Sequence, residues 1–168
     1  MEQDEDFTAF AGARWAALVR SGIVLGCTPE EAQDLAQTAL LRCYTAWRKV
    51  AAADDRDAYV YRILVNCHRD SRRRRWWGER PAARLPDRGA ADHAARVEVA
   101  DAVHRALADL TASHREVVVL RYYADLGEQR TAEILGISPG TVKSRLARAL
   151  ACLAASSHLS DLPEGRPR

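Results

Sequence analysis

The chain has 168 residues, 48% hydrophobic and 29% charged, with only 9 glycines and 6 prolines, which suits one or two compact domains and excludes collagenous or low-complexity disorder. Apolar runs stay short, as in Val117 to Leu120, whereas a membrane span needs about 20 such residues. The net charge of +2 conceals a segregation: residues 1–37 carry seven acids and two bases, a net of −5, and residues 66–85 carry seven arginines and two acids, a net of +5.

Opposite charge on neighbouring segments predicts two partners, one of them polyanionic. The positive block is all arginine, whose planar fork suits phosphate better than a lysine point charge. The start, Met1 to Asp6, is acidic where a secretory signal would be basic and then apolar, so a cytoplasmic protein is expected. Cysteines 27, 43, 67 and 152 have neither zinc-site spacing nor disulfide density and read as reduced thiols.

Sustained strand alternation is absent, and the pattern predicts an all-α chain. Thr28-Pro29-Glu30-Glu31 starts a helix, with Thr28 as N-cap, Pro29 at the first position and Glu31 completing a capping box. That helix is predicted to run to Trp47, with Leu35, Ala39, Ala46 and Trp47 on its apolar side and Asp34, Gln37 and Thr38 opposite. Asp54 or Asp55 caps the next helix, where Tyr59, Ile63, Leu64 and Cys67 recur at helical spacing and the arginines continue toward Trp77. Tyr59 and Tyr61 lie about 200° apart around a helix, so only one can face a given core. Trp76 and Trp77 read as core seals at the helix end.

Pro81, Pro86 and Gly89 mark a linker, placed at 78–95, which separates a domain over 1–77 from one over 96–155 and is long enough for the two to pack on each other. Helical periodicity resumes at Val99, Val103, Ala106, Leu107 and Leu110. Ser113 is expected to cap a helix from His114 to Tyr123, with Glu116 in the capping-box position. Helices over 128–135 and 139–154 follow, then a tail over 156–168.

The stretch Glu128 to Leu146 has helix-turn-helix spacing. Ala132 sits where the helices approach closely, Gly136 where the chain turns with positive φ, and Val142 where the second helix packs back; Ile134, Leu135, Ile137 and Leu146 complete the core. Ser138-Pro139 caps the second helix, which has no acid up to Leu153 and presents Thr141, Lys143, Ser144, Arg145 and Arg148. Such a helix fits the major groove. Thr131 stands where the motif usually has an aliphatic residue, and Gly127 where a Ser or Thr cap is usual.

Leu110 to Leu126 followed by Ala132 to Leu150 resembles region 4 of sigma-70-type factors of the extracytoplasmic-function (ECF) group. Asp34 to Trp47 resembles their region 2.2, and Tyr59 to Asn66 with the following arginines resembles regions 2.3 and 2.4. The acidic start and the length are similar to the actinobacterial SigE-type subgroup. The resemblance implies a non-enzymatic factor, without cofactor or metal, that carries core RNA polymerase to promoters. It implies docking of Asp34, Gln37, Leu41 and Arg42 on the β′ clamp, with the β flap as a second polymerase contact. It also implies minus-10 recognition by Tyr59, Tyr61, Arg62 and Asn66, with Arg69, Arg72, Arg73 and Arg74 on phosphates. Residues Thr141, Lys143, Ser144, Arg145 and Arg148 would read the minus-35 element. Asp54 to Asp57 are candidates for shaping the base pocket, and an anti-sigma factor is a further partner the resemblance allows.

The alternative is a helix-turn-helix regulator binding duplex DNA without polymerase, but the first half has no receiver-type strands and ends in an arginine and aromatic block. A nucleic-acid enzyme would need a P-loop, a glycine-rich fingerprint or a zinc deaminase signature, and none is present. Histidines 68, 93, 104, 114 and 158 have no metal spacing and are expected at surfaces or interfaces.

Overall fold

The computed structural model describes residues 2–76 and 101–160, all helix and connecting turns. Helix α1 spans Glu2–Val24, α2 Pro29–Thr45, α3 Trp47–Ala51 and α4 Arg56–Trp76. Helix α5 covers residues 101–108, then come α6 Ala112–Val118, a π-turn Val119–Tyr123, α7 Glu128–Leu135, α8 Pro139–Ala154 and α9 Ser157–Ser160. The expected linker, Val99, His93, Trp77, the side chain of Trp76 and residues 161–168 lie outside the described residues.

Helices α1, α2 and α4 form a bundle cornered by α3. Gly22 permits the closest approach of α1 to α2, because a Cβ there would lie 2.9 Å from the Cβ of Ala32. Gly26, at φ 101°, turns the chain into α2. The capping box forms as expected: Glu31 N donates to Thr28 Oγ1 at 3.3 Å and Thr28 N donates to Glu31 Oε2 at 2.9 Å. Helix α2 stops at Thr45 rather than Trp47, since Ala46 at φ −110°, ψ 19° breaks the ladder. The break turns Trp47 inward against Phe7 and Phe10, with ring centroids 5.2 and 5.3 Å away and the Arg56 guanidinium 5.5 Å over its face.

Asp55, not Asp54, caps α4, accepting from Ala58 N at 2.8 Å. Arg14 of α1 grips Asp57 with Nε and Nη2, the latter at 2.7 Å, which fixes the start of α4. Of the surface or interface positions expected for the histidines, His68 takes an interface one: it is buried on the side of α4 that also buries Leu64 and Cys67, beside a pocket shared with Ala112 and Arg115 of the second half. Cysteines 27, 43, 67 and 152 are free thiols, and burial pushes Cys43 up to about 12, leaving it unionised and inert near neutrality.

In the second half, α8 packs on α6 and α7 around Val117, Leu120, Leu135, Val142 and Ala149. Thr111, not Ser113, caps α6: its Oγ1 accepts from His114 N at 3.3 Å, and Ser113 already lies within the helix. Glu116 does not close a capping box there, its carboxylate being held by Arg69. The helix expected to reach Tyr123 ends as a π-turn, with Ala124 N donating to Val119 O at 3.0 Å, which lets five successive residues, Glu116 to Leu120, be buried. Gly136 adopts φ 67° as expected, and Ser138 Oγ accepts from Thr141 N at 3.1 Å to start α8. The tail expected from 156 begins with the short α9.

Thr131 is fully buried and its Oγ1 lacks a partner. Thr131→Val, which replaces a stranded hydroxyl by a methyl of the same shape, is expected to raise stability by about 1 kcal/mol. Equilibrium urea unfolding measures this, and a loss of stability would mean that the hydroxyl is satisfied.

Candidate nucleic-acid interface

Two faces carry the chemistry expected of a nucleic-acid surface. On α4, residues 59, 62, 66, 69 and 73 recur at spacings of three and four, which places them on one stripe at about 100° per residue. Tyr59 is half-buried at the start of this stripe, and Arg62, Asn66 and Arg73 are exposed along it. Arg72 and Arg74 flank it, also exposed. An aromatic ring at one end, an amide in the middle and guanidinium groups beyond suit an unpaired strand, with a base stacked on the ring and phosphates on the cations. Tyr61 departs from the pattern: it is 2% exposed, on the far side of α4, and its hydroxyl donates to the Tyr123 carbonyl at 3.2 Å. Of the two tyrosines, Tyr59 is therefore the one that reaches the stripe. Asp54 and Asp55 border a cleft of about 340 Å³ beside Tyr59 and Arg62.

The second face is α8. Val142 and Ala149 anchor it, while Lys143, Ser144 and Arg148 are exposed and Thr141 and Arg145 half-buried. Ser138 and Thr141 join hydroxyls at 2.9 Å, and Ser144 Oγ donates to Thr141 O at 3.1 Å, so the amino-terminal turn is ordered before any ligand arrives. Among the described residues no carboxylate pairs with Lys143, Arg145 or Arg148. Three cations on one helix, with no carboxylate partner among the described residues, give α8 a positive face of the kind that attracts phosphate.

A third surface lies on α1 and α2. Asp34, Gln37 and Leu41 share one stripe, all exposed, Leu41 by 62%. Arg42 points instead toward α4, 3.6 Å from Asp70. Sequence reasoning missed two neighbours, Trp15 and Tyr44, which are 39% and 43% exposed. With Phe7, Ala11 and Leu41 they line a shallow apolar hollow. Their signal was weak, since α1 carries aromatic residues on more than one side and only the packing of α2 shows which stay uncovered. Large exposed apolar side chains grouped in this way mark a protein-binding surface.

The faces do not lie apart. Arg69 Nε and Nη2 donate to both oxygens of Glu116 at 2.8 and 2.7 Å, and Arg115 Nη1 reaches Leu25 O at 3.4 Å. Helix α7 borders the cleft beside Tyr59 with Arg130, Glu133 and Ile134. Burial and the nearby Arg72 hold Arg115 below the ordinary arginine value.

The family model for sigma-70 region 2 matches residues 14–78, and that for sigma-70 region 4 matches residues 100–153. The chain is 39% identical over 161 residues to the RNA polymerase sigma-E factor of Streptomyces avermitilis, covering 94% of this chain and 88% of the relative. It is 40% identical over 131 residues to the ECF RNA polymerase sigma factor SigM of Mycobacterium tuberculosis, covering 76% and 64%. The solved structure of CnrH in complex with the cytosolic domain of CnrY is similar with a TM-score of 0.65 and 26% identity, covering 90% of this chain and 87% of that one. The sigma factor RpoE in complex with the anti-sigma factor NepR, from Bartonella quintana, shares the fold with a TM-score of 0.71 at 24% identity, covering 94% and 98%.

Proposed function

The chain belongs to the sigma-70 family as a factor of the ECF group, and we propose that it docks on core RNA polymerase through the exposed stripe of α2 and reads promoter DNA with α4 and α8. The observation that carries this reading is the division of labour between two matched regions, each with its own cationic face. Residues 1–77 form the polymerase and minus-10 domain, 78–95 the linker, 96–155 the minus-35 domain and 156–168 the tail. Tyr59, Arg62 and Asn66 meet the minus-10 bases, with Arg69, Arg72, Arg73 and Arg74 on the backbone. Tyr61 supports this surface from beneath. Thr141, Lys143, Ser144, Arg145 and Arg148 enter the major groove at the minus-35 element. Neither surface needs a cofactor or metal, and the chain is a non-enzymatic cytoplasmic factor.

The polymerase surface consists of Asp34, Gln37 and Leu41, extended by Trp15 and Tyr44. The hollow they line supplies the apolar centre, and the acidic residues around it give orientation. The β′ clamp is the partner for this surface and the β flap for the minus-35 domain. An anti-sigma partner is supported by the two similar structures, each a complex with a second protein. A regulator acting on duplex DNA alone gains no support from the region 2 match.

The test is capture of core polymerase by the full chain carrying Leu41→Asp with Trp15→Asp. Both side chains are exposed, so the fold should persist by circular dichroism while affinity falls about tenfold or more. Undiminished capture would place the polymerase surface elsewhere.

A further inference from the structure

Arg115 is a half-buried cation with no anion beside it. Its Nη2 donates to Ala108 O at 2.8 Å and its Nη1 to Leu25 O at 3.4 Å, both neutral carbonyls, and its Nε is buried without a partner. Gly26 makes room for this side chain, since a Cβ there would overlap the guanidinium. Burial first, and then the nearby Arg72, hold Arg115 below the ordinary arginine value, so the second guanidinium adds repulsion where a counter-charge would be expected. The two arginines line a cavity of about 160 Å³ with Ser71 and His68, and among the described residues no carboxylate lines it or pairs with either arginine. Burying positive charge in this way costs free energy that a bound anion would offset. Two guanidinium groups and a hydroxyl donor match a doubly charged phosphoryl group in charge, and the space admits little more than its tetrahedron.

The cavity continues into a second one. Cys27, His68 and Ser71 line both, and the larger, of about 320 Å³, is walled by Glu31, Asp34, Thr38, Leu35, Arg42 and Arg74. Carboxylates and a threonine hydroxyl there accept from ligand hydroxyls, which a phosphate itself would not offer. The joint volume falls in the range of about 300–1,000 Å³ usual for small-molecule sites.

We propose that the junction of α4 and α6 with the turn between α1 and α2 is a binding site for a phosphorylated small molecule bearing hydroxyls, a sugar phosphate or a nucleotide. Arg72, Arg115 and Ser71 hold its phosphoryl group, and the adjoining cleft takes its sugar through Glu31, Asp34 and Thr38. The site does not depend on the promoter reading; Arg72 meets a phosphate in either role. Because the ligand touches α4 and α6 together, it binds the folded chain and not the unfolded one, and occupancy raises the unfolding temperature.

The test uses the full chain without polymerase, titrated by calorimetry and followed by thermal unfolding, with ribose 5-phosphate, adenosine 5′-monophosphate, ribose and inorganic phosphate as probes. At least one of the two esters should bind one to one and raise the unfolding temperature, about tenfold tighter than inorganic phosphate, while ribose should not bind. Arg72→Gln should weaken the ester about tenfold or more. Arg73→Gln removes the same charge one position along α4, outside both cavities, and should change this binding by less than about twofold. Arg115→Met should abolish it; if that variant fails to fold by circular dichroism, Ala112→Glu, which brings a carboxylate to the phosphoryl cavity from the first turn of α6, should have the same effect. Failure of both esters to bind at millimolar concentration overturns the proposal. Inorganic phosphate binding as tightly as the esters overturns it too, because the adjoining cleft then takes no part. Equal losses in Arg72→Gln and Arg73→Gln also overturn it, since they would mark diffuse attraction to the arginine block, and so does undiminished binding in a folded Arg115→Met or Ala112→Glu chain.

Discussion

Trp47→Ala is expected to cost about 3–5 kcal/mol, a large part of the roughly 5–15 kcal/mol that stabilises a domain of this kind. Trp47 is 2% exposed and joins three elements: Phe7 and Phe10 of α1 meet its ring, Arg56 at the start of α4 covers its face, and its own backbone begins α3. Truncation leaves a cavity that α1 cannot fill, because Arg14 pinned on Asp57 holds α1 at its present distance from α4. Loss of the ring also frees the exposed stripe on α2 to shift relative to α1, so polymerase capture should fall along with stability. Thermal unfolding followed by circular dichroism gives the direct measure. A change below about 1 kcal/mol would mean that the corner repacks and that Trp47 does not organise it.

Lys143→Ala and Arg145→Ala are expected to weaken promoter binding by the factor-loaded polymerase without altering the fold, because Val142, Leu146 and Ala149 keep α8 in place. The two substitutions should differ in kind. Arg145 is half-buried beside its helix and restricted in reach, which suits a directed contact to a base edge; its loss should cost about 1–3 kcal/mol and relax preference at one promoter position. Lys143 is exposed and mobile in its reach, which suits a phosphate; its loss should weaken all promoters alike and lower the dependence on salt by about one counterion. Titrations at several salt concentrations against a small set of promoter variants separate the two. Unchanged affinity in both variants would remove α8 from the DNA interface.

The features that sequence alone revealed are those that depend on neighbours along the chain. Thr28 with Glu31, Ser138 with Pro139 and Gly136 at the turn act within a few residues, and each stands in the structure as its local chemistry requires. The helix-turn-helix core followed for the same reason. Where local signals competed, the sequence was ambiguous: Thr111 and Ser113 are both good caps, and the choice fell to Thr111 once Glu116 was taken by a residue 47 positions away. The break at Ala46 and the π-turn after Val118 have no local signature, because both are set by what Trp47 and the run Val117 to Leu120 must bury. Alternating sides of α4 could be counted in advance, but which of Tyr59 and Tyr61 faced outward depended on α1 and on the π-turn packed against it. Trp15 and Tyr44 were hidden among the other aromatic residues of the first half. Arg69 was expected on a promoter phosphate; in the structure its guanidinium is held by the Glu116 carboxylate, 47 positions away, a tertiary pairing that no local pattern announces.

As a sigma factor, this chain gives core RNA polymerase the ability to start at a promoter. Run-off transcription with purified core enzyme, with and without the chain, on fragments of its own genome tests it most directly. Defined transcripts are expected only when the chain is present, starting downstream of two short elements spaced for α4 and α8, and lost with Lys143→Ala combined with Arg145→Ala. Binding to duplex DNA by the chain alone, with no new transcript when core enzyme is added, would contradict it.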